Sequence, residues 1–231
     1  MVHAARTLPL IGDANGLLRG EGVYAAGRGA VPWKRLALLV AAGGLVYGAA
    51  MGSFGIRPLQ ALFSATKVPI LLSAATFVCL PNFYVVNTLL GLRDDFAAAC
   101  RGIFAAQATL AVTLAALSPL TLLVYSSTND YDVAVVSNGV AFAVGTVAAQ
   151  MTLQRHYRAL IASNPRHRVG RLAWVLLYVF VAVQLAWVLR PFVGSPDART
   201  QFFRDDAWSN AYVAVAEKVV NAFSGRSTYG R

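Results

Sequence analysis

Apolar residues along the chain gather into five runs of about 20, over 36–54, 68–90, 103–125, 133–151 and 172–189, separated by short polar and charged stretches. A helix rises about 1.5 Å per residue, so each run matches the length needed to cross about 30 Å of hydrocarbon. In that medium every backbone N–H and C=O must find a partner within its own segment, which a helix provides. The pattern therefore predicts an all-α fold, a polytopic transmembrane helical bundle of about five spans. Trp33, Lys34 and Arg35 precede the first span as an interfacial anchor. The fifth carries no charge, has Trp174 and Trp187 near its two ends, and is stopped by the run Arg190 to Pro196, RPFVGSP.

Outside these runs the pattern changes. Residues 1–32 are rich in Gly, Ala and Arg and hold no apolar stretch long enough for a signal h-region, so they read as a loosely ordered N-terminal tail ahead of a transmembrane domain over 33–196. In the C-terminal tail, 197–231, Trp208, Tyr212, Val215 and Val219 recur at three- and four-residue intervals. That spacing predicts an amphipathic helix over 206–223, too short and too charged to span, lying on the membrane or against the bundle. Inside the spans, Pro81 and the pair Ser118-Pro119 break the helical ladder locally. A kinked second span is the favoured reading of Pro81, a re-entrant segment the alternative, with Asn82 and Asn87 placed to satisfy the carbonyl that proline frees.

Composition agrees with this division: 57% of the residues are hydrophobic and only 13% charged, whereas a soluble domain carries about a quarter. The net charge of +10 would suggest nucleic acid in a soluble protein. Here the basic residues flank the apolar runs, so the expected partners are the lipid bilayer and its anionic headgroups, and no nucleic acid. The face holding the N-terminus collects twelve Lys and Arg against eight on the other, which predicts a cytoplasmic N-terminus, in a bacterial inner membrane or, alternatively, an organellar one.

The candidate functional residues are few. Gly44, Gly48 and Gly52 form a small-residue stripe for close helix packing, within the monomer or between two copies. Asn82, Asn87 and Gln107 are polar groups within or at the edges of spans, fitted for interhelical hydrogen bonds or for a solute path. Arg155, Arg158, Arg166, Arg168 and Arg171 crowd the fourth connection and are expected to contact headgroups. None of the predicted spans contains Asp, Glu, Lys, Arg or His, which argues against a proton relay. Asp94 and Asp95 read as a solvated turn, and His156 and His167 lie among arginines that disfavour a metal or a general base. With Cys79 and Cys100 alone there is no disulfide scaffold or metal motif, and no P-loop, nucleophile elbow or dinucleotide fingerprint occurs. No catalytic residue, cofactor or metal is expected.

Three segments carry a resemblance. CLPNFYVVNTLLG (79–91), LSPL (117–120) and WVLRPFVGSP (187–196), the last followed by Phe202, Phe203 and Arg204, are similar to an uncharacterised, mostly bacterial family of multi-spanning membrane proteins. The resemblance implies a multi-pass fold and marks Arg190, Pro191, Phe192, Gly194 and Pro196 as a candidate motif, but supplies no activity. A more distant likeness in architecture is to the Yip family, with its cytoplasmic N-tail and five spans. The expectation is a non-catalytic scaffold, assembly factor or subunit of a larger membrane complex, with homo-oligomerisation as one form. The alternative is a transporter or channel for a small or lipid-like solute, with the Pro81 segment as its path.

Overall fold

The computed structural model describes residues 9–26, 32–194 and 199–203. Among them there are six α-helices and no strand: α1 (Pro9–Arg19), α2 (Trp33–Gly52), α3 (Pro58–Leu89), α4 (Phe96–Ser127), α5 (Tyr131–Ser163) and α6 (His167–Leu189). The last five are long and apolar enough to cross a membrane. This all-α bundle has the architecture of a multi-pass integral membrane protein.

Each boundary has a local cause. α2 ends where the Ser53 hydroxyl donates to the Ala50 carbonyl and Gly55 turns the chain with φ 69°. α3 starts with Pro58 in its first turn, where a missing N–H costs nothing. It then runs unbroken through Pro69 and Pro81 to Leu89, so the second apolar segment is one continuous helix, long and apolar enough to span. α5 is capped by Asp130, whose carboxylate accepts the amides of Asp132 and Val133. α6 stops at Leu189, ahead of the cis Arg190–Pro191 peptide.

With 32, 32 and 33 residues, α3, α4 and α5 are about 48 Å long, well over the hydrocarbon thickness. Each is therefore longer than a crossing requires. The end of the bundle that holds α1 and the start of α2 is called end A here; the opposite end, with the α2–α3 and α4–α5 turns and residues 190–194, is end B.

Within the segment 1–32, expected to be loosely ordered, residues 9–26 are described and hold the helix α1. Leu17 and Tyr24 are buried, Asp13 pairs with Arg35 at 3.1 Å, and Arg155 donates to the Leu18 carbonyl. The Asp13 carboxylate and the Leu18 backbone carbonyl thus fix α1 to α2 and α5, while its apolar face packs on the bundle at end A. The predicted amphipathic helix over 206–223 lies outside the described residues.

Packing follows the order α6, α3, α2, α4, α5, with α2 at the centre. The two outermost helices, α5 and α6, are joined by the short turn at Asn164–Arg166 in end A but hardly touch otherwise. They splay apart toward end B. α6 is the least buried of the five, with Leu172, Leu176, Val179 and Phe180 all exposed.

Candidate functional site

The glycine stripe determines how α3 is placed. A Cβ added at Gly52 would lie 2.7 Å from the Ala61 Cα and the Gln60 carbonyl oxygen, one at Gly48 2.7 Å from the Ala65 Cα, and one at Gly44 3.0 Å from the Pro69 Cα. α2 and α3 therefore meet backbone to backbone along the whole stripe, as small residues permit. Gly44, Gly48 and Gly52 are all buried in this contact, so the stripe acts within the monomer and presents no face to a second copy.

The same stretch of α3 carries Gln60, Ser64 and Lys67 at positions i, i+4 and i+7, which places them on one helical face. All three are fully buried. Across from them lies the loop Arg190–Gly194. Gln60 Nε2 donates to the Pro191 and Phe192 carbonyls, each at 3.1 Å, and the Ser64 hydroxyl donates to the Phe192 carbonyl. Lys67 Nζ donates to the Pro191 carbonyl at 2.9 Å and sits 4.8 Å from the centre of the Phe202 ring. These bonds satisfy carbonyls that a chain leaving a helix at a proline cannot satisfy itself.

Lys67 corrects one expectation: the apolar pattern leaves it in the connection before 68, whereas the helix begins at Pro58 and contains it. It lies nine residues into α3, level with the stretch from Gly44 to Gly48, hence roughly 6–12 Å inside the end-B limit of α2. Among the described residues no carboxylate pairs with it; the two ion pairs are Asp13–Arg35 and Asp95–His167. Burying a charged group is expensive, and carbonyl and ring partners are what reduce that expense. Of the candidate motif, Arg190, Pro191, Phe192 and Gly194 belong to this junction, with the Arg190 guanidinium 3.3 Å above the Trp187 ring. Pro196 lies outside the described residues.

One wall of a large cavity is formed by that loop. The cavity holds about 680 Å³ and occupies the splay between α5 and α6, lined by Val135, Asn138, Gly139 and Phe142 on one side and by Tyr178, Ala182, Ala186 and Trp187 on the other. Leu71, Leu72 and Leu110 form its floor, and Tyr131 and Arg190 stand at its end-B mouth. Its size falls within the about 300–1,000 Å³ usual for sites that hold small molecules.

Polar groups inside the bundle are spent on structure. Asn138 accepts from the Tyr47 hydroxyl at 2.8 Å and donates to the Tyr125 hydroxyl at 2.6 Å and the Ala134 carbonyl at 2.7 Å, joining α2, α4 and α5. Gln107 accepts from the Tyr178 hydroxyl at 3.0 Å, linking α4 to α6. Asn87 donates to the Phe83 carbonyl, so its amide does not serve the carbonyl freed by Pro81, and neither it nor exposed Asn82 lines the cavity. The large cavity touches the second span only at Leu71 and Leu72, while a smaller one of about 260 Å³ lies between α2, α3 and α4, lined by Ser73, Thr76, Phe77 and Gln107 among others.

At end A only Arg166 of the five arginines lies in the α5–α6 turn. Arg155 and Arg158 extend α5, and Arg168 and Arg171 open α6. Arg155 and Arg166 make intramolecular bonds, to the Leu18 and Leu90 carbonyls, while Arg158, Arg166 and Arg168 are exposed. His167 Nε2 lies 3.0 Å from an Asp95 carboxylate oxygen. Among the described residues no three His, Cys, Asp or Glu side chains converge on a point that could hold a metal.

No protein-family model, curated protein or solved structure matches this chain.

Proposed function

We propose that the chain is a non-catalytic membrane protein that takes a lipid-like molecule from the surrounding bilayer into the cavity between α5 and α6 and holds or carries it. The observation that supports this is the cavity's setting: an apolar space of about 680 Å³ opens between two spanning helices that part toward end B. A hydrocarbon chain moves into such a space from lipid without crossing water, and contact with packed side chains replaces contact with mobile neighbours. The orientation favoured by the end-A excess of basic residues puts the N-terminus in the cytoplasm and the cavity mouth in the opposite leaflet.

Quantification of lipid retained after purification in mild detergent tests the reading. The wild type should keep at least one lipid per chain. Gly139→Trp should lose it, because a Cβ at Gly139 meets nothing within 4 Å and an indole there fills the cavity without displacing its walls. Equal retention by the two proteins, or none by the wild type, refutes the proposal.

A second reading, a scaffold or subunit of a larger complex, is favoured by the exposure of α6. Its apolar outer face would accept a spanning helix of a partner. A stoichiometric partner in mild-detergent preparations supports that reading, and a monodisperse monomer counts against it.

A further inference from the structure

Two cavities of the bundle lie end to end. The smaller, of about 260 Å³, is lined near end A by Trp33 and Ala37 of α2, by Ser73 and Phe77 of α3 and by Phe104 and Gln107 of α4. Trp33, Ala37 and Phe77 are exposed, so it opens on the bundle surface at the level where an indole marks the headgroup boundary. The larger opens at end B. Between Trp33 in the one and Met51 in the other, α2 advances eighteen residues, about 27 Å, close to the thickness of the hydrocarbon, about 30 Å.

The partition between them is thin. Leu72 of α3 lines both cavities. Gln107 lines the smaller and Tyr178 the larger, and the Tyr178 hydroxyl donates to Gln107 Oε1 at 3.0 Å. A leucine side chain and a hydrogen bond between two side chains can both swing aside by rotation, leaving every helix intact. The tyrosine also stands on α6, the least buried span.

That bond bears on what can pass. A hydroxyl entering between the two side chains accepts from Tyr178 and donates to Gln107, so no buried polar group is left unpaired. A carboxylate or phosphate cannot donate to Gln107, and no residue lining the smaller cavity carries a charge to balance it. The smaller cavity also falls below the about 300–1,000 Å³ usual for drug-sized ligands, which leaves room for a compact head or one chain.

From this geometry we infer that the two cavities are halves of one passage through the bundle, taken by single-chain amphiphiles with an uncharged, hydroxyl-bearing head, and that the Tyr178–Gln107 bond is its gate. The inference rests on the reading of the larger cavity as a lipid site, and it adds a second opening, the class of cargo and the gate.

An alkyl glucoside with nitrobenzoxadiazole on its chain, present in both leaflets of vesicles that contain the full chain, tests this with dithionite, which bleaches only label exposed outside. Protein-free vesicles should lose the outer-leaflet signal alone, and vesicles with the wild type the inner-leaflet signal as well. An inner signal that survives beside the wild type overturns the passage. Lipid retained through purification then leaves the cavity reading standing, and its absence removes both. Equal movement of a lysophosphatidylglycerol with the same labelled chain overturns the cargo class. Ala37→Trp, at an exposed position where an indole would fill the smaller cavity, should abolish movement, and movement at the wild-type rate shows that this cavity is not the route. Should Ala37→Trp not yield monodisperse protein, Ser73→Trp places the same block on the α3 wall with the same two outcomes. Tyr178→Phe should speed movement about threefold, the effect of one interhelical bond of average strength, and an unchanged or lower rate overturns the gate.

Discussion

Alanine at Gly48 should destabilise the protein, and the amount can be worked from the α2–α3 crossing. The added methyl would stand 2.7 Å from the Ala65 Cα, against about 3.5–4.0 Å for a relaxed carbon contact. The opposing atoms belong to the α3 backbone and cannot rotate away, so the helices must separate locally by about 1 Å. Overpacking of this kind costs about 1–3 kcal/mol, and replacing glycine by alanine in a helix returns up to about 1 kcal/mol. The net loss is about 1–2 kcal/mol, or a Tm lower by about 2–8 °C for a chain of this size. Gly44→Ala, whose methyl would meet Pro69 at 3.0 Å, should lose less. Gly139→Ala, with nothing within reach, should match or exceed the wild type.

The molecule carries its own reporters for this series. Cys79 and Cys100 are free and buried, so a thiol-reactive dye stays dark on the folded protein and lights up as the helices come apart. Melting in one detergent at one concentration ranks the variants. The reasoning is refuted if Gly48→Ala melts at or above the wild type, or if Gly139→Ala falls below Gly48→Ala. No member of the series should change oligomeric state, since the stripe faces α3.

Three further outcomes are expected. Asn138→Leu removes two interhelical hydrogen bonds, each about 0.6 kcal/mol on average and up to about 1.7, so a loss of about 1–3 kcal/mol is expected in the same melt. Tyr47→Phe should account for part of it, and adding Tyr47→Phe to Asn138→Leu should cost almost nothing more. Lys67→Ala should free the Arg190–Gly194 loop, so that Val193→Cys, nearly inaccessible in the native protein, reacts with a polar maleimide at least tenfold faster than it does beside Lys67; an unchanged rate means that the lysine does not tether the loop. In a background lacking Cys79 and Cys100, a cysteine at the exposed turn residue Ile56 should be labelled from outside intact cells, and one at Arg166 only after permeabilisation. The reverse pattern inverts the orientation.

The number of spans was legible because hydrocarbon imposes a length on apolar runs that few other environments impose. The limits of the helices were less so. α4 and α5 continue for many residues past their apolar windows, because a helix outside lipid needs only packing on one side, and the basic ends of α5 and α6 still pack against α1, α3 and α4. α1 was passed over for a related reason: Gly12 and Gly16 weaken its propensity, and what stabilises it is burial of Leu17 and the bonds to Arg35 and Arg155. The glycine stripe could be read locally as a packing face, yet only the fold shows which helix it receives.

The junction beneath the Arg190–Gly194 loop was hidden for a deeper reason. Its bonds join residues separated by 124 to 132 positions, which no local pattern records. The lysine at its centre also conceals itself. An apolar pattern breaks wherever a charge appears, so Lys67 moves the apparent start of the second helix from 58 to 68. The corrective signal was present in Pro58 at a helix start and in Gln60, Ser64 and Lys67 at i, i+4 and i+7, a polar stripe with helical period in an otherwise apolar stretch. Such a stripe at membrane depth must face protein, because in lipid each of its groups would go unsatisfied. It therefore predicts a partner rich in backbone carbonyls, and the proline-interrupted exit of the last span is the segment of this chain that has them to offer.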